Sequence, residues 1–269
     1  MSKINVAIIG GSGLTKLFKD IKEIKHILTP FGISQPLAIS EINNKKVLYT
    51  NRHSLPGSFE FAHVLPPHLI NYRAMIYAIA KLGVKRIIAI NSVGALKRDF
   101  KISSLALPNQ FIDFTKKRDY TFFESKYYGD DEILKDSAKV KHVDVTSPFC
   151  NELINIIYSK AKEKSIDIHL GGCYVCTEGP RLETPAEINF FRLIGCDYVG
   201  MTLVPEIILA RELGLCYASI SIITNYAAGM QERVSLEEVI QVYRSIENVL
   251  LDLLRDVIKE LPEEKSCKC

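Results

Sequence analysis

The chain has 269 residues, 47% hydrophobic and 24% charged, with a formal net charge of +3. That is the balance of an ordinary globular enzyme. The charge is too small to argue for nucleic acid, no long basic stripe is interleaved with aromatics, and no apolar run approaches the roughly 20 residues that cross a bilayer.

Strand and helix signals alternate along the chain. Asn5–Ile9 is a short apolar strand running into Gly10-Gly11-Ser12-Gly13. One lysine before so short an apolar run marks a first strand and not a secretory leader, so a cytoplasmic location is expected. Pro36–Ile42 and Lys45–Asn51 read as strands joined by a hairpin turn at Asn43-Asn44. Pro67–Leu82 has helical periodicity, closed by Gly83. Arg86–Ile90 is a buried strand leading into Asn91-Ser92, and residues 113–147 are polar and broken. Ser147–Lys164 reads as a helix with Ser147 as N-cap before Pro148. Leu170–Cys176 is a strand, Pro185–Leu193 a helix, Tyr198–Gly200 a strand, Pro205–Leu213 a helix and Cys216–Ile223 a strand. Ser235–Lys259 is a long amphipathic helix, with Ser235 and Glu238 at capping-box spacing. With no repeat or linker, residues 1–262 form one α/β domain, a central sheet flanked by helices, and 263–269 a short polar Cys-x-Cys tail.

Several features admit two readings. The glycine turn after the first strand either presents backbone N–H groups to an anion or is simply tight. It is neither G-x-G-x-x-G nor a P-loop, and the acidic ribose reader of a dinucleotide oxidoreductase is missing: the segment to Pro30 is Lys-rich with Asp20 and Glu23. Arg52-His53 offer a planar fork and a further donor for phosphate, or are a solvated pair at a strand end; the same two readings hold for His63 and His68. Seven cysteines are many for a cytosolic protein. Cys173 and Cys176 form a C-x-x-C within a strand, where positions three apart face opposite ways, so no metal or redox site is expected there. Cys267 and Cys269 are either an exposed redox pair or two inert thiols.

Three clusters are more specific. They are Gly-Pro-Arg-Leu-Glu-Thr at 179–184, Gly-Met-Thr-Leu-Val-Pro-Glu at 200–206 and Thr-Asn-Tyr-Ala-Ala-Gly-Met at 224–230. With the glycine loop, the Arg-His pair and the Asn91-Ser92 turn in order, the chain resembles the trimeric purine nucleoside phosphorylase superfamily over nearly its whole length, and within it the methylthioadenosine phosphorylase branch. The resemblance implies a central mixed, twisted β-sheet flanked by helices. It implies no metal and no cofactor, with inorganic phosphate as a co-substrate, and an assembly of trimers or dimers of trimers. Phosphate would be held by Ser12, Arg52, His53, Asn91, Ser92 and Thr202, with His63 a weaker candidate. Met201 would lie beneath the ribose, Leu182 on the purine face, and Glu183 and Asn225 at its polar edge beside Ala227. Leu236 would line the 5′ end, and His142 would complete a neighbouring subunit's sugar pocket. Asn225 and Thr202 would carry the catalytic contacts. Phosphate attacks C1′ as the C1′–N9 bond breaks, positioning and charge complementarity supply the acceleration, and the departing purine needs a hydrogen bond or proton at N7. Thermophilic members carry a terminal C-x-C and internal disulfides, an exception recognised in hyperthermophiles. By that resemblance a Cys150–Cys216 bridge and one within Cys267–Cys269 are expected for a thermophilic source, which the Lys-, Glu- and Ile-rich composition fits.

The chain departs from this branch at the base. Adenine-directed members carry Thr-Asp-Tyr-Asp where this sequence has Thr224-Asn225-Tyr226-Ala227. Asn225 can donate to O6 and still serve N7, and Glu183 can accept from the N1–H that 6-oxopurines have and adenine lacks. The favoured substrates are therefore inosine and guanosine. Leu236, where such enzymes often have a histidine for the 5′-hydroxyl, adds 5′-methylthioinosine. The alternatives are methylthioadenosine phosphorylase proper, and a non-catalytic nucleoside binder, which would not need both a phosphate set and a base set.

Overall fold

In the computed structural model, which describes residues 4–11, 14, 21–129, 131–267 and 269, the apolar runs assemble into an 11-stranded mixed sheet. Its centre is four parallel strands in the order β13 (Cys216–Tyr226), β7 (Arg86–Ala95), β1 (Ile4–Gly10) and β6 (Lys45–Asn51). They are covered on both faces, so their residues are buried almost continuously and not at alternate positions. β5 (Leu37–Ile42) joins β6 antiparallel through Asn43 and Asn44, at φ 51° and 59°, the left-handed pair that a tight hairpin requires. β2 (Glu23–Lys25) closes that edge, while β3 (Leu28–Thr29) and β4 (Gly32–Ile33) form a separate ribbon. Beyond β13 lie β8 (Leu105–Leu107) and β10 (Ile168–Leu170). A branch of β9 (Gln110–Phe114), β11 (Cys173–Thr177) and β12 (Tyr198–Gly200) returns to β7, where Val199 pairs antiparallel with Gly94.

Five helices flank the sheet among the described residues: α1 (Tyr72–Lys81), α2 (Asn151–Glu163), α3 (Pro185–Leu193), α4 (Leu203–Glu212) and α5 (Leu236–Glu260). α5 buries Leu250, Leu254, Val257 and Ile258 on one stripe, and none of the helices is long and apolar enough to cross a membrane. A second, smaller core forms around α3, where Val175, Ile188, Phe191, Val199, Ala227 and Met230 pack together.

Several boundaries differ from the sequence expectation. The helix expected from Pro67 starts at Tyr72, because the Asn71 side chain accepts from the Ala74 N–H at 3.0 Å and caps it there. Ser147 is not an N-cap: Cys150 stays extended and donates its N–H to the Tyr217 carbonyl at 2.8 Å, holding the chain along β13 until α2 begins at Asn151. The strand expected over Leu170–Cys176 is two strands, broken by Gly171 and Gly172 at φ 89° and 104°. Ser235 does cap α5 by accepting from the Glu238 N–H, but the Glu238 carboxylate accepts from Gln231 instead of closing a capping box. The complete box is at Thr184 and Glu187, ahead of α3.

All seven cysteines are free, so neither expected bridge is formed. Cys173 and Cys176 diverge as read: Cys173 lies beside Cys196, and Cys176 is buried against the Val204 N–H.

Candidate functional site

The C-terminal ends of the central parallel strands lie side by side, and in open α/β sheets ligands bind at such ends. β1 ends in Gly10, paired with Asn51 of β6; Asn91 and Ser92 of β7 face Ser221 and Ile222 of β13. Ser12 lies outside the described residues.

Arg52 follows β6 directly and is 2% exposed. Its Nε donates to Glu206 Oε2 at 3.0 Å and its Nη2 to Glu206 Oε1 at 3.3 Å, a two-point ion pair. Nη1 donates to the Ile90 carbonyl at 2.8 Å and Nη2 to the Ile9 carbonyl at 3.3 Å. Four of the five guanidinium N–H groups therefore face protein acceptors. Burial works against the charge, but Glu206 raises the Arg52 pKa above its ordinary value. Glu206, fully buried, also accepts from Tyr217 Oη at 2.7 Å. This pairing ties the end of β6 to α4. Thr202, at the N-cap of α4 and 7% exposed, makes no cap bond with its side chain, so its hydroxyl remains available at a helix N-terminus.

His53 is also buried. Its Nδ1 lies 2.7 Å from the Leu65 carbonyl, which requires the proton on Nδ1. Its ring stacks on His63 at 3.9 Å between centroids. Burial first, then His63 and Arg52, push the His53 pKa down to about 3, so the ring is neutral and its Nε2 is an acceptor. Asn91 donates Nδ2 to Ser219 Oγ at 2.8 Å, while its Oδ1 is buried without a partner. Because Ser219 can donate or accept, the amide can turn over and present its N–H groups instead. Ser92 is half-buried in the next position.

The base-side residues sit where β13 is irregular. Its register against β7 shifts between Ile223 and Asn225, which inserts Thr224 and aims Asn225 over Gly94. A Cβ on Gly94 would lie 3.2 Å from Asn225 Nδ2 and 3.4 Å from Ala227 Cα, so glycine lets the two strands close here. Asn225 Oδ1 accepts from Thr224 Oγ1 at 2.9 Å and Nδ2 donates to the Tyr226 carbonyl at 2.9 Å. Its amide is thereby oriented, with one N–H and one lone pair left. Ala227 is 2% exposed inside the α3 core. Glu183 is half-buried and accepts from Thr177 Oγ1 at 2.6 Å; burial raises its pKa. Leu182, beside it, is 51% exposed. Met201 lies against Gly179 (φ 64°), where a Cβ would come 2.7 Å from its sulfur.

Arg118 escaped the sequence reading. It stands in the polar stretch 113–147 yet is 7% exposed. Nη2 donates to the Thr177 carbonyl at 3.1 Å and the Glu178 carbonyl at 2.8 Å. Nη1 donates to the carbonyls of Met201 at 2.8 Å and Val204 at 2.5 Å. One guanidinium thus clamps the 179–184 loop to the 200–206 loop. The only local signal was an arginine amid lysines, which any solvated loop would also show. Leu236, 69% exposed at the first turn of α5, and the exposed His142 lie on the outer surface of the chain, apart from this network.

The phosphorylase superfamily profile matches residues 5–259. The chain is 44% identical to the S-methyl-5′-thioadenosine phosphorylase of Pyrococcus abyssi over 98% of its own length and 95% of that protein's. It is also 44% identical to a probable 6-oxopurine nucleoside phosphorylase of Dictyoglomus turgidum, over 99% and 95%. Its fold superposes on methylthioadenosine phosphorylase from Schistosoma mansoni in complex with adenine with a TM-score of 0.86, at 32% identity and over 98% and 93% of the two chains. The chain belongs to the phosphorylase superfamily and is a pentosyltransferase.

Proposed function

We propose that this enzyme cleaves 6-oxopurine nucleosides with inorganic phosphate, releasing the base and ribose 1-phosphate, and that 5′-methylthioinosine is among its substrates. The observation that carries this reading is the oriented amide of Asn225 at the end of β13, with one N–H and one lone pair left, together with the half-buried Glu183 carboxyl in the loop before α3. The free N–H suits O6 or N7, and the second Glu183 oxygen suits N1–H. Ala227 offers no acceptor for a 6-amino group. On the sugar side, Thr202 Oγ1, the Asn91 amide and Ser92 would hold phosphate beneath C1′, with the backbone around Gly10 and Gly11 supplying N–H donors. Phosphate fixed there is nucleophile and counter-charge to the oxocarbenium-like sugar at once. Neutral His53, with an acceptor at Nε2, suits the P–OH of monohydrogen phosphate. In a trimer His142 would close the sugar pocket of a neighbour.

The second reading is methylthioadenosine phosphorylase, favoured by the relative from Pyrococcus abyssi, whose identity equals that of the 6-oxopurine relative, and by the apolar Leu236. Incubation with inosine, guanosine, adenosine, methylthioadenosine and methylthioinosine, with and without phosphate, decides between them. The first reading expects phosphate-dependent hypoxanthine or guanine release fastest within each matched pair; faster adenine release in both pairs would hand the site to the second.

A further inference from the structure

Far from the strand ends just described, four sulfurs converge. Cys150, Cys216, Cys267 and Cys269 place their Sγ atoms all within 4.8 Å of one another, with Cys216 and Cys267 3.0 Å apart. They come from three separate parts of the chain: the residue before α2, the first residue of β13 and the C-terminal tail. Cys216 lies nine residues before Asn225 on β13, about 30 Å away at strand rise. The cluster therefore has no part in phosphorolysis.

The convergence does not depend on sulfur chemistry. The tail is held in place by Glu152, whose Oε2 accepts from the Ser266 N–H at 2.7 Å, from Ser266 Oγ at 2.5 Å and from the Cys267 N–H at 3.1 Å. Lys265 Nζ adds bonds to the carbonyls of Gly214 at 3.1 Å and Cys269 at 3.3 Å. Glu152 itself is paired with the buried Arg86 at 3.3 Å. The other two thiols are rigid, because Cys150 donates its N–H to Tyr217 and Cys216 donates its own to Lys85; both are fully buried. Two thiols fixed in the core and two delivered by an anchored tail make a preformed four-sulfur cage.

We propose that these four cysteines bind one thiophilic divalent cation, zinc being the expected ion, and that the site fastens the tail to the starts of α2 and β13. Tetrahedral zinc with sulfur at about 2.3 Å places its sulfurs about 3.8 Å apart. The contacts here, 3.0 Å between Cys216 and Cys267 and no more than 4.8 Å for any pair, bracket that value. No separate pairing stands out among the four, as two disulfides would require. Cys216 meets Cys150, Cys267 and Cys269 alike, its contact with Cys267 at 3.0 Å running across the pairs Cys150–Cys216 and Cys267–Cys269 that the family resemblance suggested. On loading, four thiols release four protons and the centre carries a net charge of −2. The surroundings suit that charge: Cys150 is the N-cap of α2, at the positive end of the helix, with the Leu153 N–H turned to its sulfur. Arg211 approaches Cys269, and Arg86 opens the strand beside Cys216 in register.

The test uses the full chain, produced with a reductant and zinc and freed of loose metal by gel filtration. Elemental analysis should find one zinc per chain. Exchange into cobalt(II) should give thiolate-to-cobalt charge transfer and the intense visible bands of a tetrahedral site. Chelation should make four more thiols reactive to alkylation and lower the melting temperature, with low-temperature phosphorolysis unchanged. The C267S/C269S double variant should lose the metal and the cobalt spectrum, whereas C173S and C196S should keep both. Zinc well below one per chain, with peptide mapping showing either sulfur–sulfur bridges or four freely alkylated thiols, would overturn the proposal.

Discussion

The two halves of the candidate site are built differently. The phosphate half is made of strand ends and of one helix start, is almost wholly buried, and is held by a charged pair whose partners are 2% and 0% exposed. The base half joins the irregular end of β13, which carries Asn225, to two loops. Leu182 is half exposed, Glu183 half-buried, and the two loops that carry Gly179–Thr184 and Met201 depend on the single guanidinium of Arg118. The first half can be rigid because it must hold an invariant ion. The second can drift with a few substitutions, and two relatives of equal identity to this chain carry different substrate names.

The largest expected effect falls on the rigid half, and it is on folding. Arg52→Ala leaves the buried Glu206 carboxylate without its partner, and breaking a buried pair in this way costs about 3–5 kcal/mol. Denaturant unfolding should show that loss in R52A, and a similar one in Glu206→Gln. An arginine that only holds phosphate would instead raise the phosphate requirement and spare nucleoside binding. If R52A unfolds like the parent and changes only its phosphate KM, the division drawn here between a structural arginine and the base site fails.

Arg118 sharpens the same comparison from the other side. Arg118→Met should release the two loops from each other, raising the nucleoside KM about tenfold or more, given about 1.5–3 kcal/mol for a charge-assisted hydrogen bond, while the phosphate KM, which feels the change only through Thr202, should rise less. Hydrogen exchange should quicken in residues 177–184 and 200–204 ahead of the central strands. Equal changes in both KM values would mean that the clamp serves the whole domain and not the base half.

Specificity comes next in size. Asn225→Asp should move the ratio of kcat/KM for inosine over adenosine towards adenosine by about tenfold, because one mismatched buried polar group costs about 1–3 kcal/mol. Adding Ala227→Asp should not simply continue the trend. Ala227 is 2% exposed among apolar side chains, so a carboxylate there must be desolvated or must push α3 aside. The double variant should therefore be less stable than N225D in thermal melts, even where its base preference has moved further. Unchanged stability would show that position 227 opens onto the base.

A smaller effect comes from His53. Its folded pKa, about 3, lies below the ordinary histidine value of 6.5, so the unfolded chain binds more protons between those limits. Its contribution is present in full above pH 6.5 and is lost as pH falls towards 3. Melting temperatures from pH 7.5 down to 4.5 should fall more steeply for the parent than for His53→Asn. Parallel slopes would mean that the ring is protonated in the folded state. His63, also lowered by burial and by Arg52, works in the same direction in both proteins, so the difference between their slopes reports His53.

What the sequence made legible follows the same division. The alternation of strands and helices around a central sheet and the hairpin at Asn43-Asn44 could be read from apolar runs and turn residues, while the grouping of Arg52, Asn91 and Thr202 came only with the family resemblance. The use of Arg52 could not be read. A guanidinium donates as readily to Glu206 as to phosphate, and the 154 residues between those partners are invisible to local pattern. Arg118 was hidden for the same reason, since its acceptors are backbone carbonyls, which every residue has. The tail cysteines were read as a local pair because sequence shows Cys267 next to Cys269 and says nothing of Cys150 or Cys216 approaching them.

The smallest expected effect lies at Leu236, on the outer surface of the chain. It is the first residue of α5, 69% exposed, with Ser235 capping the helix before it. A side chain so placed contributes little to the core, so Leu236→His should leave stability within about 0.5 kcal/mol, as surface changes usually do. Its effect should appear only in the choice of the 5′ group. A histidine can donate to a 5′-hydroxyl and has nothing to offer a methylthio group except a less apolar wall. One neutral hydrogen bond is worth about 0.5–1.5 kcal/mol, so kcat/KM for inosine relative to methylthioinosine should rise by about two- to tenfold, with kcat for either nearly unchanged. The ratio is the useful quantity, because both nucleosides present the same base to Asn225 and Glu183 and the base half cancels. A ratio that stays put would mean that α5 does not reach the sugar and that Leu236 takes no part in choosing the 5′ group.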